Sequence, residues 1–305
     1  MRSPRRSIID RIATDMNWPI YRRPTTLTEA IQLLADSKSS FPLSGGTDLA
    51  VAMRHGNLDP EVIVDIKGIP EFASSIERHD GRLVISANTV MTDLEHHEGI
   101  RRSLPGLVEA ARVVGSVQIR NRATLAGNLC NASPAADTPP VLMALQAGVQ
   151  IRGPAGSRAL SIDDFLVGYR TTALEPGELI EAIHIPEPTE RSSSAFLKLG
   201  VRRAMGISLV CVGASISLDA DGTIARAGLG LGSVAPHTIR PVEAERMIVG
   251  NLPSEDLFAS AGELAGEGSS PIDDLRASGG YRKAMVPVLV RRALTTAYQR
   301  ALGMS

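Results

Sequence analysis

Apolar positions recur at Leu27, Ala30, Ile31 and Leu34, the i, i+3, i+4, i+7 spacing of one helix face, and Thr26 with Glu29 makes a capping-box opening. Beyond this helix the period changes. Phe41-Pro42-Leu43 reads as a strand entering the tight loop Ser44-Gly45-Gly46-Thr47-Asp48, with a short apolar helix over 49–53 behind it. Residues 61–66 (EVIVDI) form a β-branched strand, and Asp80-Gly81 between two strand-like runs predicts a hairpin. The stretch 94–114 is mostly helical: Leu104, Leu107, Val108 and Ala111 share a face, and Pro105 marks a break or restart. Residues 118–136 (QIRNRATLAGNLCNASPAA) show neither period, and an aperiodic polar stretch between clear elements is more often a ligand loop than idle coil. Pro139-Pro140 opens a short helix reaching Ala147, with Asp137 or Thr138 at its cap, and strands follow at 149–152 and 179–185.

Residues 186–194 (PEPTERSSS) combine prolines, charge and serines and read as a linker, dividing 19–187 from 188–305. Past it, 195–201, 208–218 and 223–231 have strand character, with DADG over 219–222 as a hairpin turn. Helices dominate from Pro241 onward, including 281–300, and strands followed by helices predict an α+β second domain. The length of 305 residues fits two domains, each able to bury a core.

Composition removes several functions. Lys and Arg total 32 against 33 Asp and Glu, a net charge of −1, and aromatics are 3%, so neither a basic nucleic-acid surface nor a base-stacking platform is expected. Two cysteines, Cys130 and Cys211, exclude a disulfide scaffold and any four-thiolate zinc or iron–sulfur site built by this chain alone. Arg5-Arg6 near the N-terminus invites a twin-arginine reading, but Asp10, Arg11 and Asp15 interrupt the apolar run such a signal needs. No window approaches the ~20 apolar residues of a membrane helix. The expectation is a polar leader over 1–18 on a cytoplasmic protein without a membrane span.

Three motifs compete for the chemistry. The run from Gly230 to Ala235 matches a dinucleotide glycine pattern, but Pro236 follows at once and no helix starts there, which favours strand glycines packed against a neighbour. His96-His97 sits at a helix end between Glu95 and Glu98; adjacent residues face different ways, so a solvated helix end is favoured over a metal site. The third signal is a pair of loops. In Ser44-Gly45-Gly46-Thr47, consecutive glycines permit positive φ and let backbone N–H groups converge on an anion, with the helix behind Asp48 adding its dipole. Thr124-Leu125-Ala126-Gly127-Asn128 repeats the design with a hydroxyl, small residues and an amide. Each alone reads more readily as a simple turn; together they are able to grip both phosphates of a dinucleotide without a basic residue, which brings the two readings level.

The pattern PLSGGTDL over 42–49, followed about eighty residues later by QIRNRATLAGNLCNASPAAD over 118–137, resembles the FAD-binding medium subunit of molybdenum hydroxylases, of the xanthine dehydrogenase and aerobic carbon monoxide dehydrogenase type. The likeness extends from Tyr21 to the C-terminus, and FLKLGVRRAMGIS over 196–208 is similar to a family segment that borders the flavin. The resemblance implies an α+β fold with a PCMH/VAO-type FAD-binding domain of two subdomains, then a smaller α+β CO-dehydrogenase-flavoprotein C-terminal domain. It implies that Leu43, Ser44, Gly45, Gly46, Thr47, Asp48 and Leu49 wrap the FAD pyrophosphate and that Thr124, Leu125, Ala126, Gly127 and Asn128 hold its other side. Asp137 would hydrogen-bond the ribose region of FAD, Val114 and Ile180 would pack near the cofactor, and Lys198 would lie by the isoalloxazine. Read as plain residues, Asp137 is a helix cap, Val114 and Ile180 are core, and Lys198 is a surface lysine.

The resemblance further implies an electron-transfer subunit. Electrons would arrive from 2Fe–2S clusters of a small partner subunit, themselves supplied by a large molybdopterin subunit, and leave to an external acceptor; the assembly would be a dimer of heterotrimers. No catalytic residue and no metal ligand is expected in this chain. A self-contained FAD-dependent reductase of the same fold class is the alternative, and a scaffold that has lost FAD is a third reading. Two departures stand out: Ala126 occupies a usual glycine position, where a methyl requires negative φ, and Gly206 stands where the family often has Asp.

Overall fold

The computed structural model describes residues 18–202 and 204–304, so all of the expected leader except Trp18 lies outside the described residues. The chain starts with β1 (Ile20–Arg22), α1 (Leu27–Ala35), β2 (Ser40–Leu43), α2 (Leu49–Arg54) and β3 (Val62–Asp65). The three strands form a parallel sheet in the order β1-β3-β2. Pro42 is tolerated because β2 is an edge strand. Thr26 caps α1 by accepting the Glu29 N–H, while the Glu29 carboxylate reaches the Thr25 N–H at 3.2 Å, a capping box shifted by one residue. Leu43 pairs with Asp65, so the glycine loop leaves the sheet beside the 3-10 turn Ile66–Gly68.

The middle of the chain contributes β4 (Ile76–His79), β5 (Arg82–Ser86), α3 (Met91–His96), α4 (Glu98–Ser103), α5 (Pro105–Arg112), α6 (Val117–Arg120), α7 (Leu125–Cys130) and α8 (Thr138–Ala144). It continues through β6 (Gly148–Gly153), β7 (Gly156–Ser161), α9 (Ile162–Phe165), β8 (Leu166–Gly168), β9 (Thr171–Thr172) and β10 (Leu179–Pro186). Five of these strands make an antiparallel sheet ordered β4-β5-β10-β6-β7. Asp80 and Gly81 both take positive φ (49° and 69°), as the two-residue hairpin requires.

One expectation gains detail and one needs correction. The helical stretch 94–114 is three short helices, because Leu104 leaves helical geometry (φ −132°) before Pro105 restarts the turn, and His97 caps α4 by accepting the Ile100 N–H. The region 118–136 is not a loop: it holds α6 and α7, capped by the Ser116 and Thr124 hydroxyls. Helices of four and six residues are too short to display a period. Strand β7 and α9 also escaped the pattern, and α8 stops at Ala144, since Gln146 turns left-handed (φ 52°).

The last part holds β11 (Ser192–Gly200), β12 (Ser208–Leu218), β13 (Ile224–Gly232), α10 (Val242–Ile248), α11 (Glu255–Glu267) and α12 (Gly279–Ala301). The strands form an antiparallel sheet ordered β11-β12-β13. Helix α12 packs on β11 and β12, and α8 packs on β12 and β13. The α8 contact is backbone on backbone. A Cβ at Gly228 would sit 1.9 Å from the Ala144 carbonyl oxygen, one at Gly230 2.1 Å from the Pro140 oxygen, and one at Gly213 2.4 Å from the Val141 Cα. The Gly230 motif is therefore a floor for a helix, as strand packing predicts. On the β11 edge, Glu109 of α5 accepts the Phe196 N–H at 2.9 Å and pairs with Arg300, which also donates to the Ser194 carbonyl.

The buried side chains form two clusters. One centres on the first two sheets and reaches Phe196 and Cys211; the other fills the space between the third sheet and α10–α12. Among the described residues, no helix is long and apolar enough to cross a membrane.

The floor under α8 makes a direct prediction. In Gly230→Ala the new methyl meets backbone, which has no flexible end to move aside, so α8 must lift. The expected cost is about 3 kcal/mol, the upper part of the overpacking range, read from the urea unfolding midpoint. A midpoint equal to that of the parent chain would show that the contact is looser than described.

Candidate cofactor-binding site

The glycine loop starts where β2 ends. At Gly45 a Cβ would lie 2.1 Å from the Arg122 carbonyl oxygen, so glycine is required by close approach. At Gly46 it is required by conformation, with φ +73°. The loop then feeds α2, and the Gly46 carbonyl accepts the Ala50 N–H. Asp48 holds the N-cap position of α2 without a side-chain cap bond and is exposed. Among the described residues, no protein acceptor takes the N–H of Gly45, Gly46 or Thr47. Those three donors are left for an anion, in a loop that carries no basic side chain.

The second motif is built differently from the first. Thr124 is the N-cap of α7, and its hydroxyl accepts the Gly127 N–H at 3.1 Å. A Cβ on Gly127 would come within 2.8 Å of that same hydroxyl oxygen, so glycine here serves the cap. Ala126 is helical without positive φ, which accommodates the departure at this position. The turn after β5 holds the motif in place: Leu125 donates to the Thr89 carbonyl, and Met91 donates to the Ala123 carbonyl.

The two motifs meet. Ser44 Oγ lies 2.6 Å from Asn88 Oδ1 and 3.2 Å from Thr124 Oγ1, across a separation of 80 residues. Asn88 in turn donates to the Ile66 carbonyl at 3.3 Å. A chain of side-chain hydrogen bonds therefore ties the glycine loop, the turn after β3 and the start of α7. Farther along, Thr138 Oγ1 donates to Asn128 Oδ1 at 2.6 Å, connecting α7 to α8.

Asp137 occupies the N-cap position of α8 but makes no cap bond. Its carboxylate turns to the third sheet instead: Lys198 Nζ lies 2.9 Å from Oδ2, and Ser208 Oγ donates to Oδ1 at 2.8 Å. Burial pushes the Asp137 carboxyl up from its ordinary value, while Lys198 and Ser208 pull it back down. Lys198 is thus a largely buried partner in an ion pair, with its side chain 13% exposed, and not a surface lysine. Below it, the Cys211 thiol is pushed up to about 12, chiefly by burial, and stays protonated.

Val114 and Ile180 belong to the first core cluster, Ile180 facing Ile151 in the sheet beside a register shift. Sequence reasoning missed Asn88 and gave Ser208 no role of its own. It also passed over Arg170, whose side chain donates to Asn131 Oδ1 at 2.8 Å and whose N–H donates to the Ala132 carbonyl. Both Ala132 and Arg170 take left-handed φ (43° and 49°), the one available trace being their small or polar neighbours. Among the described residues no group of three His, Cys, Asp or Glu side chains is placed to hold a metal.

The donor set fits FAD. Unused backbone N–H groups suit a diphosphate, and a buried carboxylate suits the hydroxyls of a sugar or polyol chain. Comparison with known proteins agrees. Residues 14–188 match the model of the FAD binding domain in molybdopterin dehydrogenase, and residues 195–297 match the CO dehydrogenase flavoprotein C-terminal domain. The xanthine dehydrogenase FAD-binding subunit of Escherichia coli O157:H7 is 32% identical over 284 residues, covering 93% of this chain and 97% of that protein. The carbon monoxide dehydrogenase medium chain of Afipia carboxidovorans is 31% identical, covering 92% and 97%. Among solved structures, reconstituted CO dehydrogenase from Oligotropha carboxidovorans superposes with a TM-score of 0.89 at 30% identity, covering 93% of this chain and 98% of that one. Site geometry, fold and relatedness agree: the chain belongs to the family of FAD-binding medium subunits of the xanthine dehydrogenase and carbon monoxide dehydrogenase type.

Proposed function

We propose that this chain is the FAD-holding electron-transfer subunit of a heteromeric molybdenum hydroxylase. The observation that carries the reading is the Ser44–Thr124 contact, which brings the two motifs together around unused N–H donors. On this reading Leu43 to Leu49 surround the diphosphate of FAD. Thr124, Leu125, Ala126, Gly127 and Asn128 form the opposite wall, and Asp137 accepts from FAD hydroxyls. Val114 and Ile180 supply apolar packing, and Lys198 holds Asp137 while standing near the flavin ring. FAD, when bound, supplies a redox centre that exchanges single electrons on one side and pairs on the other.

The chain's own residues bind, orient and shield. The role asks of them no nucleophile and no acid–base pair, because the cofactor does the chemistry. A small subunit carrying 2Fe–2S clusters delivers the electrons, a large molybdopterin subunit generates them, and an external acceptor removes them. The assembly is a cytoplasmic dimer of heterotrimers, with the FAD domain over 19–187 and the C-terminal domain over 188–305. Relatives whose names identify them as FAD-binding subunits or medium chains support the reading, because they match this chain over nearly its full length.

Two measurements test it. Gly46→Val forces a β-branched residue to φ +73° and places its Cβ 2.7 Å from Leu43 Cδ1, so the purified variant should lose its flavin absorbance while the parent chain is yellow. Unchanged flavin content would remove the glycine loop from the site. Anaerobic reduction should then require the partner subunits together with their substrate. If the isolated chain instead oxidised NADPH against a substrate of its own, the subunit reading would give way to that of a self-contained reductase.

A further inference from the structure

Ser208 has no exposed surface and begins β12, where the next four residues, Leu209, Val210, Cys211 and Val212, are all buried and apolar. A strand entering such a core has no packing need for a hydroxyl, and a buried hydroxyl without a partner is costly. Here the hydroxyl is directed at the carboxylate that precedes α8: it donates to Asp137 Oδ1 at 2.8 Å. The backbone beside it is pinned from the opposite side. Arg282 of α12, itself buried, donates to the Leu209 carbonyl at 3.0 Å and lies 2.8 Å from Asp274 Oδ1. Ser208 is therefore held in place independently of the site it touches.

Resting on the FAD reading above, we propose that Ser208 is a positioning residue of the cofactor site, holding Asp137 ionised and aimed so that it accepts from FAD hydroxyls. The C-terminal sheet then sets the acid limit of FAD retention. The carboxylate oxygens are divided between two donors of that sheet, Lys198 on Oδ2 and Ser208 on Oδ1. The titratable groups facing Asp137 are Lys198 from β11 and Cys211 from β12, and the thiol, at about 12, remains neutral at working pH. Arg282 of α12 is committed to the neighbouring carbonyl and to Asp274. Burial favours the protonated acid, whereas Lys198 and the Ser208 hydroxyl favour the carboxylate. Deleting the hydroxyl removes stabilisation from the charged form only, so protonation begins at a higher pH.

The test is FAD binding to the flavin-stripped full chain, followed by fluorescence quenching from neutral pH downward until retention fails, alongside apo-chain thermal melting. The parent chain should lose affinity toward acid. Ser208→Ala should follow the same curve displaced to higher pH while still melting in one cooperative transition, and Ser208→Thr, which keeps the hydroxyl, should restore the parental midpoint. A Ser208→Ala curve that superimposes on the parent's, or that is lowered by one factor at every pH, overturns the proposal, because a purely structural role has no pH signature. Should alanine fail to fold, Ser208→Cys retains the shape with a much weaker donor and is expected to show the same displacement. A parent chain that binds no FAD at any pH overturns the FAD reading itself, and this inference with it.

Discussion

The backbone-to-backbone seat of α8 on the glycine floor of the third sheet governs the rest of the molecule. Side chains normally keep a helix and a sheet about 10 Å apart; here three strand positions carry no Cβ, and the helix sinks until its carbonyls and Cα atoms approach the strands. Pro139 and Pro140 lie in the first turn of α8, where missing N–H groups leave no helix bond unmade. Asp137 is the residue immediately before that turn. The depth to which α8 sinks therefore determines whether the Asp137 carboxylate meets Lys198 and Ser208, or points past them.

That seat also explains why two sheets from opposite ends of the chain share one site. The first motif hangs from the parallel sheet, the second from the turn after β5, and the ion pair from the third sheet. Each pair of neighbours is joined by a specific bond: Ser44 to Thr124, Thr138 to Asn128, Lys198 to Asp137. No single element contains the site, so its geometry is a property of how the elements stack.

Features governed by neighbouring residues were legible in the sequence. The Thr26 cap, the Asp80-Gly81 hairpin, the Pro105 restart and the DADG turn all follow from local chemistry, and each is present as expected. The Gly230 pattern was separable from a nucleotide loop because a pyrophosphate site needs a helix start, and Pro236 follows instead. The short helices within 118–136 were not legible, since one turn carries no periodicity. Neither was the Lys198–Asp137 pair, whose partners are 61 residues apart and whose meeting depends on the glycine floor. Asn88 leaves no trace at all: an isolated amide in a turn looks the same whether it faces water or, as here, bridges Ser44 to the Ile66 carbonyl.

The charges of the site give the arrangement its meaning. The glycine loop offers dipoles and no cation, and Lys198, largely buried, has its charge balanced by Asp137 at 2.9 Å. Desolvating two ions rarely gains stability, and an apolar pair of similar volume would often serve the fold as well. Removing either partner alone is a different matter, because it strands a buried charge at a cost of about 3–5 kcal/mol. The pair is thus worth little as a weld and much as a register: it is satisfied only when α8 and β11 are correctly placed. A diphosphate bound nearby would find its donors in backbone N–H groups that cannot move far, while the Asp137 carboxylate is held by two donors of the third sheet. Discrimination then comes from geometry and hydrogen bonding, not from net attraction, which fits a chain whose acidic and basic residues nearly cancel.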